Sequence, residues 1–398
     1  MHEPIHQMAP AVWTTALVGT VALFVGLGLA RFGYSPLIPA LVRAGWFGAA
    51  TADFLASVNL VGYIIGAALT ARWLARRAPA AWLRAGMLTA TVSLGACALN
   101  WGFAWYFFWR LLAGIAAGVL MVLAVPAILQ RMPARARGVA GGVLFAGAGC
   151  GMIFSGEVIP YLVRLGLPAA WLLLALLASV LSALVWRAWD RAAPAGAAVT
   201  GGGDPASRSA PRSLPSAAPA AAMVLLMAAY CCNAIGFAPQ SLFWVDYIAR
   251  QLGRGLVVGG HDYLLFGVGV AVGPMLAGWF GDRFGLRRSF ACGLGLEALG
   301  LALPVWGTGA GLLAISSLLV GAAGMGSTTI ASARTMELAR PRERTRAWGH
   351  MTLAFAIAYA GAGMGFSGVY AHLLRYQPIF LAGAVALALG AIMAAFAG

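Results

Sequence analysis

Four ionisable residues lie inside long apolar runs of the chain: Arg31, Arg110, Glu157 and Glu297, with Asp53 and Asp246 nearer the ends of theirs. A charge within a hydrocarbon layer costs several kcal/mol unless it is paired or hydrated, so such residues mark ligand sites, proton carriers or structural ion pairs. Arginine presents a rigid fork of donors that matches a carboxylate. Arg31 is followed by the polar Tyr34 and by Pro36 and Pro39, and it is the first candidate for binding an acidic group. Asn233 and Gln240, on a later run, are candidate polar members of the same site, although either can instead bond a neighbouring backbone.

Depth estimates bring two of these charges together. Arg110 lies about five residues past the aromatic cluster from Trp101 to Phe108, about 7 Å into the layer at 1.5 Å per residue. Glu157 lies 19 residues from Gly138, roughly 28 Å across a layer of about 30 Å. The two are expected to pair, either as a static link between helices or as a pair that exchanges a proton when a ligand takes the arginine. Glu297, about 12 Å from the other end of its run, is the rival proton carrier.

Composition fixes the class of molecule in which these residues act. Hydrophobic residues make up 62% of the chain and charged residues 9%, too little polar surface for a water-soluble domain of 398 residues. The formal charge of +15 comes entirely from arginine, since the sequence contains no lysine. The arginines sit in short loops between apolar runs and form no basic patch, so the charge reports membrane topology and not a nucleic-acid partner. Cys97, Cys150, Cys231, Cys232 and Cys292 all fall within apolar runs without metal-like spacing and are expected to be packed thiols. The five histidines are scattered, and no catalytic or phosphate-binding signature occurs. No metal, cofactor or enzymatic activity is expected.

The apolar runs number twelve, approximately 12–40, 52–71, 82–103, 106–129, 139–163, 169–187, 221–247, 262–281, 289–306, 310–332, 347–371 and 377–396. Each is long enough to form a membrane helix. The amino-terminal tail has no basic start, so the first run is expected to stay as an anchor. With both termini in the cytoplasm, nineteen arginines fall in inner loops and only Arg43, Arg164, Arg250, Arg254 and Arg375 in outer ones, as the positive-inside rule requires. From 192 to 219 the apolar pattern gives way to Ala, Gly, Pro and Ser, a composition that cannot bury a core. That segment divides the chain into a six-helix half over 1–191, a cytoplasmic linker over 192–219 and a second six-helix half over 220–398. The halves repeat: a shift of 207 residues carries Gly66 onto Gly273, Leu69 onto Leu276 and Gly114 onto Gly321, and Ala146–Gly151 reappears in kind as Ala360–Gly365.

The stretch Gly278-Trp-Phe-Gly-Asp282-Arg283-Phe-Gly285-Leu-Arg287-Arg288 resembles the signature loop between the second and third helices of each half in major facilitator superfamily transporters. Arg110 with Gly114 and Gly118 is similar to the arginine motif of that superfamily, which is linked to proton coupling. The stretch Gly28-Leu-Ala-Arg31-Phe-Gly-Tyr34-Ser-Pro36 resembles a bacterial branch of mostly unassigned substrate. In the first half Ala75 replaces the signature aspartate, so an inner gate latch is expected to rest on Asp282. The fifth run lacks the Gly-Pro pair of drug antiporters. The resemblance implies an all-α membrane protein whose halves rock about a midplane site by alternating access. It further implies a monomeric, proton-coupled secondary transporter of a small organic solute, with an organic anion favoured by Arg31, in the bacterial inner membrane. A non-transporting sensor or scaffold on the same fold is the alternative.

Overall fold

The computed structural model describes residues 10–72, 79–129, 137–192, 220–340 and 344–396. The linker beyond Ala192 and the replaced signature position Ala75 lie outside them. Every regular element among the described residues is helical. Eleven helical stretches are long and apolar enough to cross a membrane. The remaining expected span, α4 (Pro79–Ala96), carries Arg84 in its first half and falls short of that criterion, yet it packs between α5 (Phe103–Leu129) and α7 (Leu167–Val185).

The first apolar run is not one straight helix. It consists of α1 (Pro10–Leu23), a wide-turn π-helical stretch Phe24–Phe32, and α2 (Tyr34–Arg43). The Gly33 N–H closes the wide turns by donating to the Gly28 carbonyl, five residues back, at 2.9 Å. Such turns interrupt the helical register and recur where function needs a displaced side chain; here the stretch carries Arg31. Pro36 has no N–H to offer the Phe32 carbonyl four residues earlier. That carbonyl instead accepts a hydrogen bond from the Tyr263 hydroxyl at 3.4 Å. The seventh span repeats the device: α9 (Ala220–Asp246) runs into a wide turn at Tyr247–Gln251, which holds Arg250.

The 207-residue repeat is visible in the packing. A Cβ on Gly62 of α3 (Ala49–Arg72) would meet the Leu111 carbonyl oxygen at 2.2 Å, and one on Gly269 of α10 (Leu256–Phe284) would meet that of Leu318 at 2.5 Å. Gly66 against Ile115 and Gly273 against Ala322 repeat the pattern at 2.2 Å, as do Gly114 against Asn59 and Gly321 against Phe266 at 2.0 and 2.2 Å. Each pair is a crossing of bare backbones, which only a small residue permits without hydrophobic driving force between the helices. Thus α3 on α5 and α10 on α12 (Ala310–Leu338) are the same contact made twice.

The residues before and after the linker meet along two long seams, α6 (Arg137–Leu162) against α10 and α3 against α13 (Arg344–Leu373), and where α2 packs on α9 and α10. The remaining helices are α8 (Ala188–Ala192), α11 (Leu286–Trp306) and α14 (Gln377–Phe396). We call the end of the bundle that carries Pro10, Phe396 and the α10–α11 turn the near face, and the other end the far face. Hydrogen bonds across the seams gather toward the far face. Ser35 Oγ donates to the Leu242 carbonyl at 2.7 Å, the Ser57 and Ser367 hydroxyls lie 3.4 Å apart, and Tyr263 reaches Phe32.

Candidate functional site

Arg31 projects from the wide turn toward the seam between α3 and α13. Its guanidinium carbon sits 4.9 Å from the Phe32 ring centre, 5.1 Å from that of Tyr63 on α3 and 4.9 Å from that of Tyr359 on α13. These rings belong to both sides of the seam, so the cation is shared between the two parts of the chain. Its Nε is buried without a hydrogen-bond partner, and no carboxylate pairs with it among the described residues. Aromatic faces attract a cation, but they accept none of the five N–H donors of a guanidinium. The site therefore has unfilled capacity for an acceptor.

Below Arg31, toward the near face, runs a column of aromatic rings on the post-linker helices. Tyr359 stacks on Phe355 at 6.0 Å, Phe355 lies 4.7 Å from Tyr230, and Tyr230 lies 5.9 Å from Trp348. Phe237 joins the column from α9, 6.2 Å from Tyr359. Tyr359 is fixed by a 2.6 Å hydrogen bond between its hydroxyl and that of Ser241. Tyr63, Tyr359 and Phe355 were not among the expected site residues, and their single weak signal in sequence is the four-residue spacing of Phe355 and Tyr359 on one helix face.

The other candidate site residues distribute differently from expectation. Tyr34 does not face the cation at Arg31. Its hydroxyl donates to the Ala52 carbonyl at 3.2 Å and its ring carries Arg110, whose guanidinium carbon lies 4.2 Å above it. Asn233 donates to Glu297 Oε2 at 2.7 Å, which supplies the partner that Glu297 lacked in sequence. Both are buried, with Asn233 Oδ1 and Glu297 Oε1 left without partners. Glu297 Oε1 and the Phe237 ring flank the same point beside Gly324, where a Cβ would lie 3.0 Å from the oxygen and 2.5 Å from the ring. The carboxyl is thus one aromatic layer away from the Tyr359 side of the Arg31 cage. Gln240 turns away, donating to Ser316 Oγ at 2.6 Å while Ser316 donates to the Gly300 carbonyl at 2.6 Å, so it ties α9 to α11 and α12.

The expected Arg110–Glu157 pair does not form. Arg110 is 2% exposed and donates through Nη1 to the Ala30 carbonyl at 2.7 Å, inside the pre-linker helices. Glu157 points across the other seam, where its Oε2 lies 3.2 Å from His261 Nε2, both side chains about half exposed. The physical reason is rotational: Gly156 packs against the Gly260 backbone, with a Cβ position 2.4 Å from its oxygen, so the next residue on α6 looks toward α10. Rise per residue fixes depth; it leaves azimuth open.

At the near face, Gly285 turns the chain between α10 and α11 at φ +83, a backbone region strained for any side chain, and its N–H caps α10 by donating to Gly281 at 3.0 Å. Asp282, Arg283, Arg287 and Arg288 are exposed, Gly278 has open space around it, and Asp282 makes no ion pair among the described residues. Asp282 therefore forms no ion pair with Arg283 or Arg287 in this structure. Of the cysteines, Cys97 is buried, Cys231 and Cys232 are half-buried, and Cys150 and Cys292 are exposed on the helix surface. Among the described residues no group of side chains has the makings of a metal site.

One comparison with known proteins fits this geometry. Residues 23–395 match the family described as uncharacterised MFS-type transporter YbfB, so the span from the wide turn at Arg31 to the last helix, nearly the whole chain, is covered. The chain is a multi-pass membrane protein and belongs to this family of major facilitator superfamily transporters.

Proposed function

We propose that this transporter moves a small organic anion by alternating access, with Arg31 as the group that binds the acidic part of the substrate. The observation that carries the reading is the unpartnered guanidinium at the seam. The guanidinium is partly buried and its Nε is enclosed without a partner; leaving a donor so is costly, and an anion or its water shell completes the coordination. The aromatic column of Tyr359, Phe355, Tyr230 and Trp348 then offers an apolar path for the body of the solute toward the near face. In this reading the pre-linker and post-linker helices act as the two halves, the arginine-rich near face is the cytoplasmic one by the positive-inside rule, and the protein resides in the inner membrane. The halves touch through hydrogen bonds on the far side of Arg31, as expected of a conformer closed outward. Glu297, held by Asn233 behind Phe237, is the carrier we assign to proton coupling in place of the Arg110–Glu157 switch. The transport unit is a monomer.

The test is a thermal-shift screen of purified protein against carboxylates, amino acids, sugars and cationic solutes, followed by flux in proteoliposomes. Carboxylates or other organic anions should be the class that raises the unfolding temperature. Arg31→Lys keeps the charge and loses the fork, so affinity should fall about tenfold or more, ~1.4 kcal/mol. Full affinity in the lysine variant, or stabilisation by cations alone, sinks the assignment. Binding without flux would point to a sensor on the same fold.

A further inference from the structure

The far face holds a second cluster of ionisable groups that the anion site does not use. Asp53 on α3, Asp246 at the end of α9 and Tyr376 before α14 are all 0% exposed. The Tyr376 hydroxyl lies 2.9 Å from Asp53 Oδ2 and 2.6 Å from Asp246 Oδ2. Arg250 grips both oxygens of Asp246 and also donates to the Tyr370 hydroxyl at 3.1 Å. Tyr376 is held rigidly. Its ring stacks on Tyr370 at 4.2 Å and on Phe243 at 5.9 Å, and its N–H donates to Gln251 Oε1 at 2.9 Å. Asp53 Oδ1 is buried and has no partner.

Hydrogen counting decides the protonation of this cluster. A phenol has one hydrogen to donate and lone pairs to accept with. Asp246, gripped on both oxygens by a guanidinium, is the ionised acid, and it takes the phenol hydrogen through the shorter contact. The remaining contact, Asp53 Oδ2 to the Tyr376 hydroxyl, would then join two acceptors unless Asp53 itself carries a hydrogen. With that hydrogen the chain closes: the Asp53 O–H donates to Tyr376, the Tyr376 O–H donates to Asp246, and Asp246 pairs with Arg250. Charge agrees with this count, because one carboxylate and one guanidinium sum to zero, whereas a second fully buried carboxylate would stand unbalanced. Of the other groups facing this region, Tyr34 from α2 is bonded to Ala52 and Tyr370 from α13 accepts from Arg250, while Arg110 from α5 keeps its charge against the Ala30 carbonyl and the Tyr34 ring and makes no ion pair with Asp53 or Asp246 among the described residues.

We propose that Asp53 is a proton-binding site that joins the two halves at the far face, so that the closed gate holds one proton more than the open one. Asp53 comes from the half before the linker, while Tyr376, Asp246 and Arg250 come from the half after it. When the proton leaves, Asp53 becomes a second anion facing Asp246 across a shared phenol, and the far side separates and admits water. This inference rests on the proposed alternating access only in that the halves part at this face, and it does not depend on the identity of the solute or on Arg31.

The test uses substrate-free protein. Spin labels are placed at Leu99 and Thr308, on far-face loops of the two halves, in the full-length chain with its five native cysteines replaced. Distances are then measured by pulsed electron resonance across a pH series. The ratio of closed to open populations should fall as pH rises, approaching about tenfold per unit, the limit for one linked proton. Asp53→Asn keeps the shape and donates permanently, so it should stay closed throughout and abolish the slope. A ratio independent of pH in the unmodified gate, or an asparagine variant more open than its parent, overturns the proposal. Infrared difference spectra give an independent reading. Beside any band from Glu297, one component of the protonated-carboxyl carbonyl absorption should be lost in Asp53→Asn and kept in Tyr376→Phe, and an absorption identical in parent and Asp53→Asn overturns the assignment. If the gate behaves as stated while no solute binds, the anion-transport reading fails alone.

Discussion

Arg31 and Arg110 are chemically the same side chain in neighbouring places, and their surroundings separate their roles. Arg110 has a carbonyl, a tyrosine face and near-complete enclosure within one half. Arg31 has three rings from both halves and no hydrogen bond or ion pair among the described residues, whereas the Arg110 guanidinium is anchored at Nη1; each keeps a buried Nε without a partner. Removing Arg110 should therefore destabilise: Arg110→Gln loses the link from α5 to the Ala30 wide turn, at a cost of about 1–3 kcal/mol, read as a lower unfolding temperature in detergent. Arg31→Gln should change the stability of the unliganded protein little, because the guanidinium is only partly buried and makes no hydrogen bond or ion pair among the described residues, while abolishing the shift given by an anion. A fall in unliganded stability of the size seen for Arg110 would mean that Arg31 is structural. Both arginines were legible in sequence because a charge in an apolar run is conspicuous. Tyr63 and Tyr359 were not, because a tyrosine among phenylalanines and leucines looks like any other apolar filler until the helices are docked. Glu297→Gln tests the carrier at this scale: pH-driven accumulation should be lost while exchange of solute down its gradient persists, and equal loss of both modes rejects the role.

Elements transmit these positions through backbone crossings, and the glycines show where. Gly114 and Gly321 occupy one repeat position, and a Cβ there would stand 2.0 and 2.2 Å from the carbonyl oxygens of Asn59 and Phe266. Neither oxygen can yield without moving its helix. Gly114→Ala and Gly321→Ala should each cost about 1–3 kcal/mol of overpacking and lower the unfolding temperature. Gly361→Ala, with open space around it, should change stability by no more than about 0.5 kcal/mol. If all three behave alike, close approach is not what holds α3 on α5. This level was the most readable one, since small residues recurring at a fixed offset survive as letters, and the same offset reappears as contacts between α3 and α5 and between α10 and α12. The wide turns were hidden for a complementary reason. The first apolar run reads as a single long helix, and nothing in its composition says that Gly33 will bond five residues back.

At the scale of the whole molecule the two faces are in different states, and that difference assigns Asp282 its time of action. The far face is closed by Ser35 on Leu242, by the Ser57–Ser367 contact, by Tyr263 on Phe32 and by the Asp53–Tyr376–Asp246 cluster. The near face shows Asp282 exposed and without an ion pair among the described residues, and the loop around it is turned by Gly285. Under the proposed alternating access, a latch at Asp282 would act in the other conformer, in which α10 and the start of α13 come together and a carboxylate meets a helix amino end. That interaction is worth about 0.3–1 kcal/mol, or roughly two- to fivefold in a population. Asp282→Asn should leave the conformer seen here untouched and make the opposite one rarer. Turnover should slow by that factor, and a single cysteine at Ala347 on α13 should become more reactive from the near face while the amount of folded protein stays constant. The same reporters fix orientation. A cysteine at Arg254 should react with an impermeant thiol reagent added outside intact cells, and one at Arg287 should not. Asp53→Asn, by holding the far face shut, should add to the effect of Asp282→Asn, because both variants favour one conformer from opposite ends. Normal transport in the Asp282→Asn variant at normal expression would remove the latch, and reaction of the Arg287 position from outside would invert the molecule in the membrane.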